Sequence, residues 1–413
     1  MTKTILILGG SYAGSSTAHY TLKHVLPSLP SPESYEVILV SSSPDLLNRP
    51  GTPRALISEN FFDQKKFFVD LQEQFKQYGP KFRFVLGRAI ALDHENRRVT
   101  VQKIDAASED EPETVIPYTA LIIATGSSTP SPLLSLNNGS GADLKSHWAT
   151  FRTALPKAKT IVVAGGGPAG IETAGELGEY LNGRAGWFSA KLANPKVKIT
   201  VVTSASQILP IFRPAIADVA EGFLAKVGVE VVKGVSVEGV TPVGAGKGEL
   251  TATTEVKLSN GQVLPADIYI PAYGMIPNSE FISDELKGDD GRVETNKQTL
   301  RVEKAGPRVF ALGDVSDFAR PAIPIINDAI PVLAANLKRD LLLEAGKEVS
   351  GEDRLYTADE GETHMVPIGQ SQGVGAIKGY KVPSWFVWLL KGRDYWLWTI
   401  GPLWSGKQWA KQT

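Results

Sequence analysis

Short apolar runs, each closed by glycine or by a cluster of small polar residues, recur along this chain and predict buried parallel strands alternating with helices. Thr4-Ile-Leu-Ile-Leu8 stops at Gly9, and small residues and helix formers follow through Ala18, giving strand, tight turn and helix. A proline-rich turn (Pro27, Pro30, Pro32) leads to a second strand, Tyr35–Val40. A helix is expected from Asp63 to about Tyr78, then short strands at Phe82–Leu86 and Arg98–Val101 separated at Gly87. Leu121-Ile-Ile-Ala-Thr-Gly126 is another strand, and the Ser-, Pro-, Asn- and Gly-rich stretch 127–146 reads as a loop. Thr160–Ala164 repeats the opening pattern, with helix formers through Glu179 and a strand at Lys198–Thr203. Val229–Val232, Val256–Leu258 and the Asn260-Gly261 turn suggest a small antiparallel region. Two further apolar strands end near Gly274 and at Gly313-Asp314.

The chemistry begins at the two glycine-rich turns. A strand that ends in such a turn and feeds a helix can receive a dinucleotide pyrophosphate on the helix N-terminus. In Gly9-Gly10-Ser11-Tyr12-Ala13-Gly14 the fingerprint G-x-G-x-x-G has serine in its middle glycine position, and alone this is a weak signal. The second copy, Gly165-Gly-Gly167-Pro168-Ala169-Gly170, is complete: Gly165 for the turn, Gly167 for close approach of the pyrophosphate, Gly170 for helix–strand packing. Both ribose-reading strands end in serines, at Ser41-Ser42-Ser43 and at Ser204, where an acid is the usual partner. NADH and NADPH are therefore equally compatible, with Arg213 a candidate for a 2′-phosphate. Thr125-Gly126 reads either as a strand end approached by a cofactor or as an ordinary strand end. Asp314 reads either as the partner of a ribityl hydroxyl or as a solvated turn residue. Glu172, at the start of the helix after the second glycine turn, is the polar candidate beside the nicotinamide, or else a carboxylate stabilised by the helix dipole. Ala89 and Gly274 complete the residues expected at the cofactor sites.

Composition narrows the field. At 413 residues, 42% apolar and 21% charged, the chain suits two or three folded domains. A formal charge of −1 gives no reason to expect nucleic acid. There is no cysteine, which removes disulfides, thiolate metal sites and any redox dithiol. The five histidines (19, 24, 94, 147, 364) lack metal-ligand spacing, so no metal is expected. No cleaved signal or spanning helix is expected, pointing to the cytoplasm or the periphery of an intracellular membrane. Six of the eight tryptophans fall within 385–409 beside Lys391 and Arg393. That tail suits a membrane interface through 385–404, a cap over the cofactor domains, or a dimer contact.

Taken in order, Gly9–Gly14, Ala124-Thr125-Gly126, Gly165–Glu172 and Gly313-Asp314 resemble the two-dinucleotide flavoproteins of the pyridine nucleotide-disulfide reductase superfamily. Asn48–Arg54, Ile326–Leu337, Pro367–Gly379 and Lys391–Asp394 are similar to its apoptosis-inducing-factor-like and ferroptosis-suppressor-like branch. The resemblance implies an α/β chain with two Rossmann-like dinucleotide-binding domains and a C-terminal α+β extension. FAD would occupy 1–148 and 271–343, NAD(P)H would occupy 149–270, and the extension would span 344–413. It further places Arg54 near FAD. It implies hydride transfer from NADH or NADPH to flavin and electron release to a small quinone-like acceptor. Two rivals stand beside that reading: a biosynthetic flavoprotein acting on a specialised metabolite, and an NAD(P)H-responsive redox-sensing interaction protein. Oligomeric state is left open.

Overall fold

The computed structural model describes residues 2–104, 113–358 and 361–412. Its first part contains β1 (Lys3–Leu8), α1 (Tyr12–Tyr20), β2 (Tyr35–Ser41), β3 (Phe82–Asp93), β4 (Arg98–Lys103), β5 (Glu113–Pro117), β6 (Ala120–Ile123) and α2 (Gly141–Ala154). The middle holds β7 (Thr160–Ala164), α3 (Pro168–Asn182), β8 (Lys198–Thr203), α4 (Pro214–Lys226), β9 (Val229–Lys233), β10 (Val237–Thr241), β11 (Thr254–Leu258), β12 (Val263–Ala266) and β13 (Ile268–Pro271). The chain then returns through β14 (Val309–Ala311) and α5 (Ile323–Glu344). It finishes with β15 (His364–Ile368), β16 (Gln372–Ile377), β17 (Tyr380–Val382), α6 (Ser384–Val387) and α7 (Leu397–Trp404).

Two sheets organise these elements. The larger runs β14-β6-β1-β2-β3-β4-β5, parallel through β3 and antiparallel beyond it. The smaller, β9-β8-β7-β13, is parallel throughout. Parallel strands are covered on both faces, which is why they read as unbroken apolar runs; Ile5, Leu6, Ile7, Ile161 and Val163 are fully buried. Because β14 joins the first sheet after the second has been completed, the first nucleotide domain is assembled from two separated pieces of chain.

Several sequence expectations change. The segment 63–78 is not one helix: short helices Gln64–Phe67 and Leu71–Phe75 flank an extended Phe68–Asp70. Asp63 and Asp70 each cap a separate helix start, accepting from the backbone N–H of Lys65 and Glu73, and a cap residue needs extended backbone. Gly87 does not end a strand but sits inside β3, where a Cβ would come within 2.7 Å of the Gln102 carbonyl oxygen. Val229–Lys233 joins the parallel sheet; the antiparallel unit is β10-β11-β12. The expected boundaries 148/149 and 270/271 fall inside α2 and β13.

The tail is divided between core and surface. Trp404 and Trp409 are buried, Trp404 with its ring centroid 4.6 Å from that of Tyr12 at the start of α1. Three side chains from residues 19–24 grip tail carbonyls: His19 that of Trp404 (2.8 Å), Lys23 that of Gly406 (2.5 Å) and His24 that of Trp409 (2.8 Å). Trp385, Trp388 and Trp398 face outward at 63%, 37% and 59% exposure. No helix among the described residues is long and apolar enough to cross a membrane.

Candidate active site

Both glycine turns open onto one cleft of about 1130 Å³ between the two sheets. The turns obey the same constraints. Gly9 has φ +104° and Gly165 φ +130°, conformations that disfavour side chains, and a Cβ would lie 2.1 Å from the Ala124 oxygen or 2.3 Å from the Ala272 oxygen. Gly14 and Gly170 bring each helix against its own turn, where a Cβ would sit 1.7 Å and 2.0 Å from the Gly9 and Gly165 oxygens. Gly167 differs: it lines the cleft and an added Cβ would meet nothing within 4 Å. Backbone is thus presented to open space at the N-terminus of α3, as close approach of a pyrophosphate requires. Ser11 holds the matching place ahead of α1. It is exposed and lines the cleft, so the first turn accommodates a side chain there.

Most of the expected cofactor residues line this cleft: Gly9, Gly10, Ser11, Tyr12, Ala13, Ser41, Ser42, Ala89, Thr125, Gly126, Gly167, Pro168, Ala169, Glu172, Gly274, Gly313 and Asp314. Gly14, Gly165 and Gly170 act behind it, through packing. Thr125 and Gly126 are fixed by Asn278, whose side-chain amide donates to the Thr125 carbonyl (2.9 Å) and whose N–H donates to that of Gly126 (3.0 Å). Asp314 accepts from Ser127 Oγ (2.9 Å) and Arg49 Nη1 (3.4 Å). At the tip of β2 the Ser41 hydroxyl is spent within the turn, donating to the Ser43 carbonyl (2.9 Å), whereas no hydrogen bond involves the Ser42 hydroxyl among the described residues.

Three expectations need correction. Arg54 lies outside the cleft, buried in a two-bond pair with Glu176 (2.8 and 3.0 Å) and donating to the Arg393 and Gly369 carbonyls. Arg49 is the arginine of that segment that reaches the cleft. Ser204 is exposed and away from the cleft lining, and Arg213 is engaged by Glu362 and the Gly379 carbonyl rather than free for a 2′-phosphate.

Glu172 is brought together with a residue for which the sequence offered no role. Lys391 Nζ donates to Glu172 Oε1 at 2.5 Å and to the Met365 carbonyl at 3.1 Å, and both side chains line the cleft. Burial pushes the Glu172 carboxyl above its ordinary range, against the attraction of Lys391. One turn along α3, Glu176 accepts from the Tyr395 hydroxyl (2.9 Å), while Trp396 forms a cleft wall. His364 also lines the cleft; burial, reinforced by the Arg320 and Lys391 charges, lowers it to about 4 and keeps it neutral at pH 7. The forewarning of Lys391 and Trp396 was the tail's clustering of cations with aromatics and, for Lys391, the resemblance carried by Lys391–Asp394.

The cleft therefore offers two pyrophosphate cradles, a carboxylate at Asp314 and the Glu172–Lys391 ion pair on its lining. These residues fit FAD against the first turn and NAD(P)H against the second. Comparison with known proteins agrees. The family model described as pyridine nucleotide-disulphide oxidoreductase matches residues 3–333. The chain is 55% identical over 412 residues to oxidoreductase phnG of Penicillium herquei, covering 99% of this chain and 97% of that one. It is 24% identical to human ferroptosis suppressor protein 1, covering 94% and 92%. Its fold is similar to the sulfide:quinone oxidoreductase of Aquifex aeolicus, with a TM-score of 0.71 at 15% identity over 98% and 92% of the two chains. A two-dinucleotide α/β fold, paired glycine turns and no cysteine to relay electrons place the chain in the pyridine nucleotide-disulphide oxidoreductase family, as an FAD- and NAD(P)H-dependent oxidoreductase of the ferroptosis-suppressor-like type.

Proposed function

We propose that this oxidoreductase passes reducing equivalents from NAD(P)H to a diffusible quinone-like aromatic acceptor. The observation that carries the reading is the buried Glu172–Lys391 pair, lining the cleft onto which both nucleotide cradles open, in a chain without thiols. The net reaction, NAD(P)H + H⁺ + quinone to NAD(P)⁺ + hydroquinone, needs one proton beyond the hydride. FAD, when bound, supplies hydride acceptance and electron release, and the protein's task is binding and alignment. Gly167, Pro168 and Ala169 receive one pyrophosphate, and Gly10, Ser11 and Tyr12 the other. Asp314, held by Ser127 and Arg49, presents an acceptor to a sugar hydroxyl. Lys391, with its ammonium directed at Glu172 Oε1, holds a proton on the cleft lining. Trp396, Met275 and Ile211 supply apolar walls that exclude water.

Stopped-flow mixing with NADH and with NADPH tests this. Flavin absorbance should bleach rapidly and recover on adding a quinone, and Glu172→Gln should slow the bleaching at unchanged flavin content. Slow bleaching that leaves a persistent charge-transfer band, with no quinone reoxidation, would sink it. A second reading, a specialised aromatic metabolite as acceptor, is favoured by the 55% and 33% identity to two fungal oxidoreductases against 24% to human ferroptosis suppressor protein 1. Peripheral membrane contact through the outward face of 385–404 belongs to the same proposal. Trp385, Trp388 and Trp398 are exposed there beside Arg393, whose guanidinium lies 5.3 Å from the Trp398 ring centroid.

A further inference from the structure

The cleft contains a cation that neither cradle explains. Arg49 faces Asp314 and Lys391 faces Glu172, but Arg320 has no ion pair or hydrogen bond among the described residues. Its Nη1 is buried, and among the described side-chain nitrogens and oxygens buried without a partner it is the one belonging to a residue that lines the cleft. Arg88, another cation on the cleft wall, is exposed to solvent. Arg320 as a whole is half-buried, but a guanidinium nitrogen shut off from water without a partner is costly, and such a group in a native fold calls for an explanation.

Arg320 belongs to neither glycine turn. The pyrophosphate cradles are at Gly10–Tyr12 and Gly167–Ala169. Arg320 instead precedes α5, close enough to His364 for its charge to bear on that ring. His364 in turn packs edge-on against Phe212, with ring centroids 5.9 Å apart. The same cleft carries apolar walls, Ile323 and Ile326 from α5, Met365 and Val366 from β15, and Trp396, with Asp328 and Thr363 as polar members of the lining. A planar guanidinium beside apolar walls selects a flat organic molecule carrying an ionised oxygen, since the fork matches carboxylate, phenolate or enolate geometry.

We infer that Arg320 marks an acceptor subsite of this cleft, specific for an aromatic molecule bearing an acidic oxygen such as an ionised hydroxyquinone. This deepens the proposed function and rests on it for the direction of electron flow, but not for binding. The test uses FAD-loaded wild type, Arg320→Gln and Arg320→Lys. The probes are lawsone, a hydroxynaphthoquinone ionised at neutral pH, and menadione, its uncharged methyl counterpart. Each is titrated against oxidised enzyme without NAD(P)H, following the flavin difference spectrum, and then used as acceptor in turnover. In Arg320→Gln, lawsone should bind about tenfold or more weakly, the loss of one charge-assisted contact, with menadione changed by less than about twofold and flavin content unaltered. Arg320→Lys should recover part of the lawsone affinity.

Equal weakening of both probes, unchanged lawsone binding, or loss of flavin from Arg320→Gln would each overturn the inference, the last by assigning Arg320 to the cofactor. If the variants discriminate between the probes in the binding titration while neither probe reoxidises reduced wild type, the subsite stands and the quinone-acceptor reading falls.

Discussion

Replacing Arg54 by methionine separates a cofactor role from a structural one. Arg54 and Glu176 are 4% and 2% exposed, and the guanidinium spends two bonds on the carboxylate and two on backbone carbonyls. Removing one partner strands a buried charge, at a cost of about 3–5 kcal/mol. The Tyr395 hydroxyl still donates to Glu176, so the lower part of that range applies. At roughly 2–4 °C per kcal/mol for large domains, the unfolding midpoint should fall by on the order of 10 °C. Removing both charges together costs less than the sum of the single changes, because neither is then left unpaired. The assay is thermal unfolding by circular dichroism for Arg54→Met, Glu176→Met and the double variant, with flavin content read from the visible spectrum. Arg54→Met should melt early yet keep its flavin. A variant that loses flavin at an unchanged midpoint, or a double variant whose loss equals the sum of the singles, would refute the reasoning.

Gly167→Ala should fold with a normal midpoint and retain FAD but bind NAD(P)H at least about tenfold more weakly, since its methyl group enters the space a pyrophosphate needs; Gly165→Ala, strained and 2.3 Å from a carbonyl, should instead unfold the second nucleotide domain. Both are read by titration calorimetry and melting. His19 is fully buried and burial lowers it to about 4, so its contribution is present above its ordinary value of 6.5 and lost as pH falls toward 4, by about 3 kcal/mol in all. Urea midpoints across that window should fall with pH in wild type and be flatter in His19→Gln; equal slopes would exclude the assignment. Trp385→Ser, Trp388→Ser and Trp398→Ser combined should abolish co-flotation with anionic liposomes without changing flavin content. Those outward side chains are a better probe than truncation after residue 381, which would also delete Lys391, Tyr395 and the buried Trp404.

Much of the architecture is local and therefore legible in the chain. The paired turns, their strands and the Gly313-Asp314 end are encoded by glycine placement and apolar runs, whose constraints act within a few residues. Where reading failed, a distant partner decided. Whether Val229–Lys233 belongs to a parallel or an antiparallel sheet depends on β8, not on its own valines. Gly87 looked like a strand terminator, yet a glycine is equally required where the paired strand β4 leaves no room for a side chain. Arg54 matched a flavin-adjacent pattern, and only Glu176, 122 residues away, shows where its charge is spent. Lys391 and Glu172 meet across 219 residues, a separation no spacing rule captures.

The three grips of residues 19–24 on the tail carbonyls have a consequence for biosynthesis. Each joins the helix behind the flavin turn to a segment made some 385 residues later. During translation that helix emerges early with His19, Lys23 and His24 lacking their acceptors, and Tyr12 lacking the indole that covers it. The first nucleotide domain also awaits β14 to complete its sheet. The second domain waits as well, since α3 finds the partners of Glu172 and Glu176 only at Lys391 and Tyr395, so both nucleotide domains are completed by the last residues to leave the ribosome.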